Sequence, residues 1–532
     1  MFVDFREVPE GHIFRADVCV AGAGAAGITL ATELCGAGLE VCLIESGGLE
    51  LDADTQNLYE VTNLGIARKP ATLTRLRFFG GTTNHWTGRC GRLDPSDFQE
   101  RPWVPDSGWP ITREQLDPFY DRAQPMLDLG PSRSGEWIAQ EFGVPPPCVD
   151  QSIATLFAWQ LSSPTRFGKK FRSQLERGPR AQIVLYANVV NIQTNAAGEH
   201  VEYVDVRSLS GRRGKVMARA YVLSCGGIEN PRLLLLSDGV DPRGVGNAYD
   251  LVGRYFMEHL RNSELIALDK DPYSIQRTYN YYHNREGFYM LGLSLSEQAQ
   301  RREGILNGAF SADFSSSEES ATATTWRVGS AILHGESPVD LSASVVRVLS
   351  DLDEVVINFR RKLLRSGSPI LTRDLPILFL QTEQAPNRDS RIGLSSDRDA
   401  LGMRRATVNW RMNELDRKSV LAAMQLFAVQ LWLCHNARIH LPESMNEALE
   451  EWVFNFKDVA HHIGATRMAD SPQRGVVDRN CKVHGLDNLF IAGSSVFPTS
   501  GHVYPTLTIV ALALKLADEL KSSLKPAMRS LD

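Results

Sequence analysis

The sequence predicts an α/β fold with two domains, and three observations support this prediction. Residues 13–46 read as a buried strand, a glycine-rich turn, a helix and a second buried strand. Strand, glycine and helix patterns recur at residues 215–236 and 489–520, which indicates that the chain returns to the same sheet. Residues 260–455 follow a different pattern. The predicted fold class is therefore a discontinuous Rossmann-like domain with a second domain built on an antiparallel sheet packed against helices.

The second predicted domain mixes short strands, polar loops and one long helix. Residues 355–359 read as a strand, and residues 315–325 read as a polar loop. Apolar residues at helical spacing predict an amphipathic helix over residues 415–434. We expect this domain to cover the site that the first domain forms.

The first glycine-rich turn has the spacing that a dinucleotide requires. Gly22 allows a tight turn, Gly24 lets the backbone approach a pyrophosphate, and Gly27 lets the helix pack closely on the strand. The N–H groups of the first helical turn favour an anion. Glu45, at the end of the next strand, can accept hydrogen bonds from both ribose hydroxyls, and its charge repels a 2′-phosphate. We therefore expect FAD or NAD rather than NADP.

Composition and charge narrow the class of protein. A net charge of −6 over 532 residues gives no basic surface of the kind that nucleic acids require. Residues 1–7 lack the features of a secretory signal, and no apolar run is long enough to cross a bilayer. The eight cysteines are scattered without a CxxC pair, which favours reduced thiols and gives no support for a metal site. We therefore expect a cytoplasmic protein that acts without nucleic acid, membrane or metal.

Three further motifs point to a family. They are GGTTNHW at residues 80–86, VGRYFMEH at residues 252–259, and a C-terminal block with HHIGATRM at 461–468, GVVD at 475–478 and NLFIAGSSVFP at 488–498. Together with the first turn, they make the sequence resemble the glucose–methanol–choline (GMC) family of FAD-dependent oxidoreductases. The resemblance is to the bacterial branch that includes pyranose 2-oxidase-like enzymes, C-glycoside-oxidising enzymes and flavin dehydrogenases of aminoglycoside biosynthesis.

The resemblance implies FAD-dependent oxidation of an alcohol on a small, sugar-like or glycosidic substrate. A hydride passes to flavin N5 and the hydroxyl proton passes to a base, a role that suits histidine. The family's base lies in a His-x-x-Gly-Thr-x-Arg-Met pattern that matches His461 here, although Ala465 replaces the threonine. His462 is the next candidate. Oxygen or another carrier then accepts the electrons.

The second catalytic group departs from the family pattern. The family often reads Gly-His-Ala-Asn-Pro-Thr where residues 501–506 read Gly-His-Val-Tyr-Pro-Thr. Tyr504 replaces the asparagine and can donate a hydrogen bond to an alkoxide, and His502 can take over the same role. The catalytic candidates are therefore His461, His502 and Tyr504. Pro505 is expected at the first position of a helix whose positive end favours the anionic reduced flavin.

The resemblance also implies the contacts of the cofactor. Thr83 and Asn84 are expected near flavin N5 and O4, and Asn188 and Val189 near adenine. His85 aligns with the histidine that is bonded covalently to the flavin in pyranose 2-oxidase, so both covalent and non-covalent FAD stay open. The expected contacts are Gly22, Gly24, Ala25, Ala26, Gly27, Glu45, Ser46, Gly80, Gly81, Thr82, Thr83, Asn84, His85, Trp86, Asn188, Val189, Ser224, Gly226, Gly493, Ser494, Pro505 and Thr506.

These motifs divide the chain into segments. We expect the FAD-binding domain to comprise residues 1–130, 181–259 and 456–532, the last with the catalytic motif. Residues 131–180 are expected to form an insertion on the substrate side, and residues 260–455 the substrate-binding domain.

Two other functions fit the same motifs. The fold also carries non-redox lyases whose bound FAD is not reduced, and the substrate of an oxidoreductase could be an alcohol that is not sugar-like. Bleaching of the flavin by a substrate distinguishes an oxidoreductase from a lyase.

Overall fold

The structure is a computed structural model that describes residues 1–144, 148–268, 273–313, 324, 325, 355, 371, 377–440 and 459–524. The strand predicted at residues 355–359 lies outside the described residues apart from Val355, and so does most of the polar loop predicted at 315–325. Within the described part of the chain, none of the helices has the length and apolar character needed to cross a membrane.

The described residues form strands that group into three sheets. In chain order the strands are β1 (Phe2–Asp4), β2 (His12–Ala21), β3 (Val41–Ile44), β4 (Val61–Asn63), β5 (Arg89–Cys90), β6 (Ala154–Leu161), β7 (Ala181–Leu185), β8 (Asn188–Thr194), β9 (Val201–Arg207), β10 (Arg213–Leu223), β11 (Leu260–Leu268), β12 (Tyr281–His283), β13 (Phe288–Leu295), β14 (Gly308–Asp313), β15 (Ile377–Thr382), β16 (Arg391–Arg398), β17 (Arg404–Asn409), β18 (Arg438–His440) and β19 (Leu489–Ile491).

Helices connect and cover these sheets. They are α1 (Ala25–Gly36), α2 (Ala53–Asn57), α3 (Ala71–Thr74), α4 (Arg113–Met126), α5 (Gly135–Glu141), α6 (Phe167–Arg177), α7 (Gly226–Leu236), α8 (Ser274–Thr278), α9 (Glu297–Glu303), α10 (Glu414–His435) and α11 (Thr506–Ser523). Short 3₁₀ turns occupy Phe5–Glu7, Gly81–Asn84, Pro95–Phe98 and Ser494–Val496.

The first sheet has the order β1-β7-β3-β2-β10-β9-β8, and β19 pairs with β10. Strands β1, β7, β3, β2, β10 and β19 are parallel, whereas β9 pairs antiparallel with β10 and β8. All four residues of β3 are buried, as expected for a parallel strand covered on both faces. Helices α1 and α11 pack against each other, and α4 packs on α11. The predicted Rossmann-like domain, assembled from distant parts of the chain, is therefore confirmed.

The second sheet has the order β18-β11-β15-β14-β13-β6-β5, with β12 on β13, and every pairing in it is antiparallel. Helix α10 packs on β14 and β15, which confirms the predicted antiparallel sheet with a helical cover. The third sheet pairs β16 and β17 with β4. Strands β4 and β5 precede residue 130, so parts of the first predicted segment join the second and third sheets. The domain boundaries themselves stay a prediction.

The helix boundaries follow capping signals in the sequence. Thr112 caps α4 by accepting from the Gln115 backbone N–H, and Asn413 caps α10 by accepting from that of Asp416. Helix α11 begins at Thr506, so Pro505 is the N-cap residue and not the first helical residue as predicted. Its φ of −74° is close to the helical value, so Pro505 directs the chain into the helix much as a first helical residue would.

Candidate active site

A cleft of about 540 Å³ opens at the carboxyl ends of the parallel strands. Its wall includes Ala21, Ile44 and Ser224, which end or follow β2, β3 and β10. In α/β sheets of this kind ligands bind at this edge, where the loops that follow the strands diverge. The volume lies within the range of about 300–1,000 Å³ that is typical of small-molecule sites.

The turn between β2 and α1 brings backbone to the floor of the cleft. Gly22 has a φ of +100°, and a Cβ there would lie 2.7 Å from the Ser224 carbonyl oxygen. A Cβ on Gly27 would lie 1.9 Å from the Gly22 carbonyl oxygen, so only glycine allows α1 to pack this closely. At Gly24, in contrast, a Cβ would meet no protein atom within 4 Å. Gly24 lines the cleft, so the space above it is where a pyrophosphate would lie.

The carboxylate of Glu45 holds this turn while facing the cleft. It accepts the Ala23 N–H at 2.9 Å and the Gly47 N–H at 3.0 Å, and its side chain is 5% exposed. Oε1 also accepts the Ser46 hydroxyl at 3.1 Å, so Oε2 is the oxygen that retains a lone pair for a ribose hydroxyl. Gly24, the N-cap of α1, makes no side-chain capping bond, so the helix terminus presents backbone N–H groups to the cleft. These features fit FAD, with the pyrophosphate at α1 and the ribose at Glu45.

Most of the predicted cofactor contacts line this cleft. Gly27, Gly80 and Asn84 do not, because Gly27 packs under the turn and the Asn84 amide donates to the Phe79 carbonyl at 3.1 Å. The others line it: Gly22, Gly24, Ala25, Ala26, Glu45, Ser46, Gly81, Thr82, Thr83, His85, Trp86, Asn188, Val189, Ser224, Gly226, Gly493, Ser494, Pro505 and Thr506. Their individual roles in binding, including a covalent bond at His85, stay predictions.

His461 also lines the cleft, two residues before an antiparallel bridge. Met257 and Ile463 exchange backbone hydrogen bonds of 2.9 and 3.0 Å. The carboxylate of Glu258 accepts the His461 backbone N–H at 2.7 Å, and Nδ1 of His259 lies 2.7 Å from Nδ1 of His461. Burial lowers the pKa of His461 well below its ordinary value, and the neighbouring His259 and Arg261 act in the same direction. The imidazole is therefore neutral at neutral pH and can accept a proton.

Tyr504 is the second catalytic candidate that lines the cleft. Its ring centroid lies 5.1 Å from that of His461. Its phenol oxygen accepts hydrogen bonds from Nη1 of Arg89 at 3.1 Å and from Nη1 of Arg261 at 3.2 Å. Guanidinium groups only donate, so the phenol O–H remains available to donate to a substrate oxygen.

His502 is not brought to the cleft. Its side chain is fully buried, with ring contacts to Phe157 at 4.9 Å and Trp159 at 6.1 Å. The nearest carboxylate oxygen, from Asp94, lies 3.5 Å from Nε2. His462, the alternative base, does line the cleft, but its Nε2 faces the Glu258 carboxylate at 3.5 Å. Of the three candidates the structure therefore groups His461 with Tyr504.

Comparison with known proteins identifies the family. The sequence model described as FAD dependent oxidoreductase matches residues 17–351, and the one described as GMC oxidoreductase matches residues 386–513. The chain belongs to the GMC family of FAD-dependent oxidoreductases. The two matches together cover both the glycine-rich turn and the His461 block of this GMC oxidoreductase.

Relatives align over nearly the whole GMC chain at low identity. The large subunit of fructose dehydrogenase from Gluconobacter japonicus is 24% identical over 96% of this chain and 98% of its own. The 6'''-hydroxyparomomycin C oxidase of Streptomyces lividus is 24% identical over 96% of this chain and 92% of its own. Among solved structures, pyridoxine 4-oxidase from Mesorbium loti has a TM-score of 0.56 at 18% identity, covering 95% of this chain and 99% of that one.

Several residues of the GMC site were not predicted from the sequence. Arg89 and Arg261 line the cleft beside Tyr504, yet no motif marks either of them. Glu258 and His259 end the VGRYFMEH motif, so their position in that motif was the available signal. Their contact with His461 joins residues about 200 positions apart, as the separation of 202 between the two imidazoles shows.

Proposed function

We propose that this protein oxidises a hydroxyl group of a sugar-like or glycosidic alcohol with FAD, and that His461 removes the hydroxyl proton. The observation that carries the proposal is that a neutral imidazole lines the same cleft as the dinucleotide-binding turn. FAD, when bound, supplies the acceptor for the hydride that leaves the carbinol carbon.

The polar groups around His461 have different roles toward the substrate hydroxyl. His461 accepts its proton, a role that requires an unprotonated ring at the working pH. Tyr504 donates a hydrogen bond to the substrate oxygen as negative charge develops there. Arg89 and Arg261 orient the Tyr504 hydroxyl by donating hydrogen bonds to its oxygen. The second sheet closes the cleft here, because Arg89 and Arg261 belong to β5 and β11.

The substrate class rests on the relatives. Two proteins that align over 96% of this chain are named for fructose and for 6'''-hydroxyparomomycin C, both polyhydroxylated molecules. We therefore infer a small substrate with several hydroxyl groups. Either oxygen or a separate carrier reoxidises the flavin, and release of hydrogen peroxide during turnover distinguishes the two.

We also propose a cytoplasmic location. All eight cysteines carry free thiols in the structure, and burial raises the pKa of Cys42 and Cys225 to about 12. Thiols of this kind are inert and persist in a reducing compartment. Cell fractionation with thiol labelling tests the proposal, which predicts reduced protein in the cytoplasmic fraction.

The decisive experiment is anaerobic flavin reduction. The purified protein is mixed with a panel of sugars, glycosides, aminoglycosides and simple alcohols while the flavin spectrum is recorded. Bleaching by a polyol is expected, and His461→Ala should keep FAD but slow bleaching by about 10²–10⁴-fold, the usual size of general-base loss. His12→Ala, at the exposed start of β2, is the matched control, and its flavin should be reduced at the wild-type rate.

Two results would contradict the proposal. Equal reduction rates in wild type and His461→Ala would refute the assigned base. Turnover of a substrate without any flavin bleaching would instead identify a non-redox lyase.

A further inference from the structure

The residue opposite His461 in the antiparallel bridge is His259. Met257 pairs with Ile463 in antiparallel register, so position 259 stands across from position 461. Side chains at opposite positions of an antiparallel pair lie on the same face and about 4.5–5.5 Å apart at Cβ. The two imidazole rings are accordingly perpendicular, at 85°, with their centroids 4.9 Å apart. The VGRYFMEH motif thus places a second histidine directly against the proposed base.

The ring nitrogens of this pair share one proton. Nδ1 of His259 and Nδ1 of His461 are 2.7 Å apart, a distance at which one nitrogen must donate and the other accept. Burial lowers the pKa of His259 to about 4 and that of His461 well below its ordinary value. Both rings are therefore neutral, and each carries a single N–H.

The backbone of Ser500 decides which nitrogen donates. Its carbonyl oxygen lies 3.2 Å from Nε2 of His259 and can only accept, so the single proton of His259 is on Nε2. Nδ1 of His259 is then an acceptor, and the proton between the rings belongs to Nδ1 of His461. If the proton of His259 were on Nδ1 instead, the lone pair of Nε2 would face a lone pair of the Ser500 carbonyl oxygen.

We infer that His259 is a positioning residue that holds His461 in the Nδ1–H tautomer, so that the lone pair of Nε2 is the one offered to the substrate hydroxyl. The inference rests on the proposed role of His461 as the base. When Nε2 takes the hydroxyl proton, a new N–H bond forms there and Nδ1–H stays bonded to His259. The contact therefore needs no rearrangement during proton transfer.

The tautomer can be read directly by ¹⁵N NMR of the holoenzyme. Histidine is labelled with ¹⁵N, and the His461 signals are identified by their absence from the spectrum of His461→Gln. At neutral pH we expect Nδ1 of His461 to show the shift of a protonated nitrogen and Nε2 that of an unprotonated one. A protonated Nε2 with an unprotonated Nδ1 in the wild-type protein would overturn the inference without further variants.

Two variants at position 259 test the cause. His259→Leu removes the acceptor, and the Nδ1–H form should cease to be the only tautomer of His461, with flavin reduction slowed by about 10- to 100-fold. His259→Asn places an amide oxygen near the position of Nδ1 and should restore the tautomer and most of the rate. Equal spectra and equal rates in His259→Leu and wild type would contradict the inference.

The failure of this inference is separable from failure of the proposed function. Normal flavin reduction in His461→Ala would contradict the role of His461 as the base, but it would not change the tautomer measured in the wild-type protein. A wrong tautomer in wild type, with slow reduction in His461→Ala, removes only the role of His259. A purely structural role of His259 predicts that Leu and Asn lower stability alike and that neither changes the tautomer, and this outcome too would overturn the inference.

Discussion

The ring of Tyr504 stands edge-on to the imidazole of His461, with 5.1 Å between the ring centroids and 79° between the ring planes. The edge-to-face contact fixes the relative position of a proton acceptor and a hydroxyl donor in one cleft. Because Arg89 and Arg261 both donate to the Tyr504 oxygen, the direction of its O–H bond is also restricted. The hydroxyl of Tyr504 is thus anchored by two guanidinium groups.

This arrangement predicts the effect of Tyr504→Phe. The aromatic contact with His461 is retained, and only the hydroxyl is lost. We expect FAD binding to be unchanged and flavin reduction to slow by about 5- to 150-fold, equivalent to about 1–3 kcal/mol for an unmatched polar group. Tyr249→Phe, on the exposed surface, is the control. A normal reduction rate in Tyr504→Phe would show that the ring serves packing alone.

A second prediction concerns the buried ion pair of Arg68 and Glu258, whose side chains are 1% and 0% exposed. Glu258→Gln keeps an acceptor for the His461 backbone N–H but removes the charge that balances Arg68. Loss of one partner of a buried pair costs about 3–5 kcal/mol, so the midpoint of denaturant unfolding should fall sharply. The double variant Arg68→Met, Glu258→Gln should recover much of this loss. If Glu258→Gln is as stable as wild type, the Glu258 carboxylate is not needed to neutralise the buried Arg68.

A third prediction separates cofactor binding from folding. Gly24→Ala adds a methyl group that meets no protein atom but enters the cleft, so the apoprotein should unfold at the wild-type temperature. FAD should bind about 5- to 150-fold more weakly, since overpacking costs about 1–3 kcal/mol. Gly36→Ala, in the last turn of the same helix, also meets no protein atom and should bind FAD normally. Equal FAD affinity in both variants would contradict the proposal that the pyrophosphate binds at the N-terminus of α1.

The geometry of the glycine-rich turn could be predicted from sequence because its residues act locally. Gly22, Gly24 and Gly27 are set by one strand, one turn and one helix, and their spacing alone reports the geometry. The position of Asn84, which was expected from the resemblance, differs in the structure, because the loop at residues 80–86 turns that amide back to the Phe79 carbonyl within five residues. A motif identifies such a loop but not the direction of each side chain in it.

The two arginines beside Tyr504 could not be predicted because their contacts join distant parts of the chain. Arg89 reaches Tyr504 across 415 positions, and Arg261 reaches it across 243. Such contacts depend on how the second sheet packs against the first, and no local spacing encodes that packing. His502 shows the same limit, since its neighbour Tyr504 lines the cleft while its own ring lies against Phe157 and Trp159.

The last prediction concerns the pH dependence of stability at Asp416, in the first turn of α10. Its carboxylate accepts the backbone N–H groups of Ala385 at 2.7 Å and Asn413 at 2.8 Å, but burial raises its pKa to about 7. In the unfolded chain an aspartate titrates near about 3.9. Between these values the folded state keeps a proton that the unfolded state has released, so stability falls as the pH rises.

Asp416→Asn removes this dependence because an amide does not titrate. Relative to wild type, the variant should gain about 3 kcal/mol in the free energy of unfolding between pH 5 and pH 8. Any hydrogen bond that the amide fails to make should lower the stability of the variant equally at pH 5 and pH 8, because the amide does not change its protonation state between them. Urea unfolding at the two pH values measures the difference, with Asp389→Asn, whose side chain is 76% exposed, as the control. A difference between Asp416→Asn and wild type that is the same at pH 5 and pH 8 would show that Asp416 is already ionised in the folded protein at pH 5.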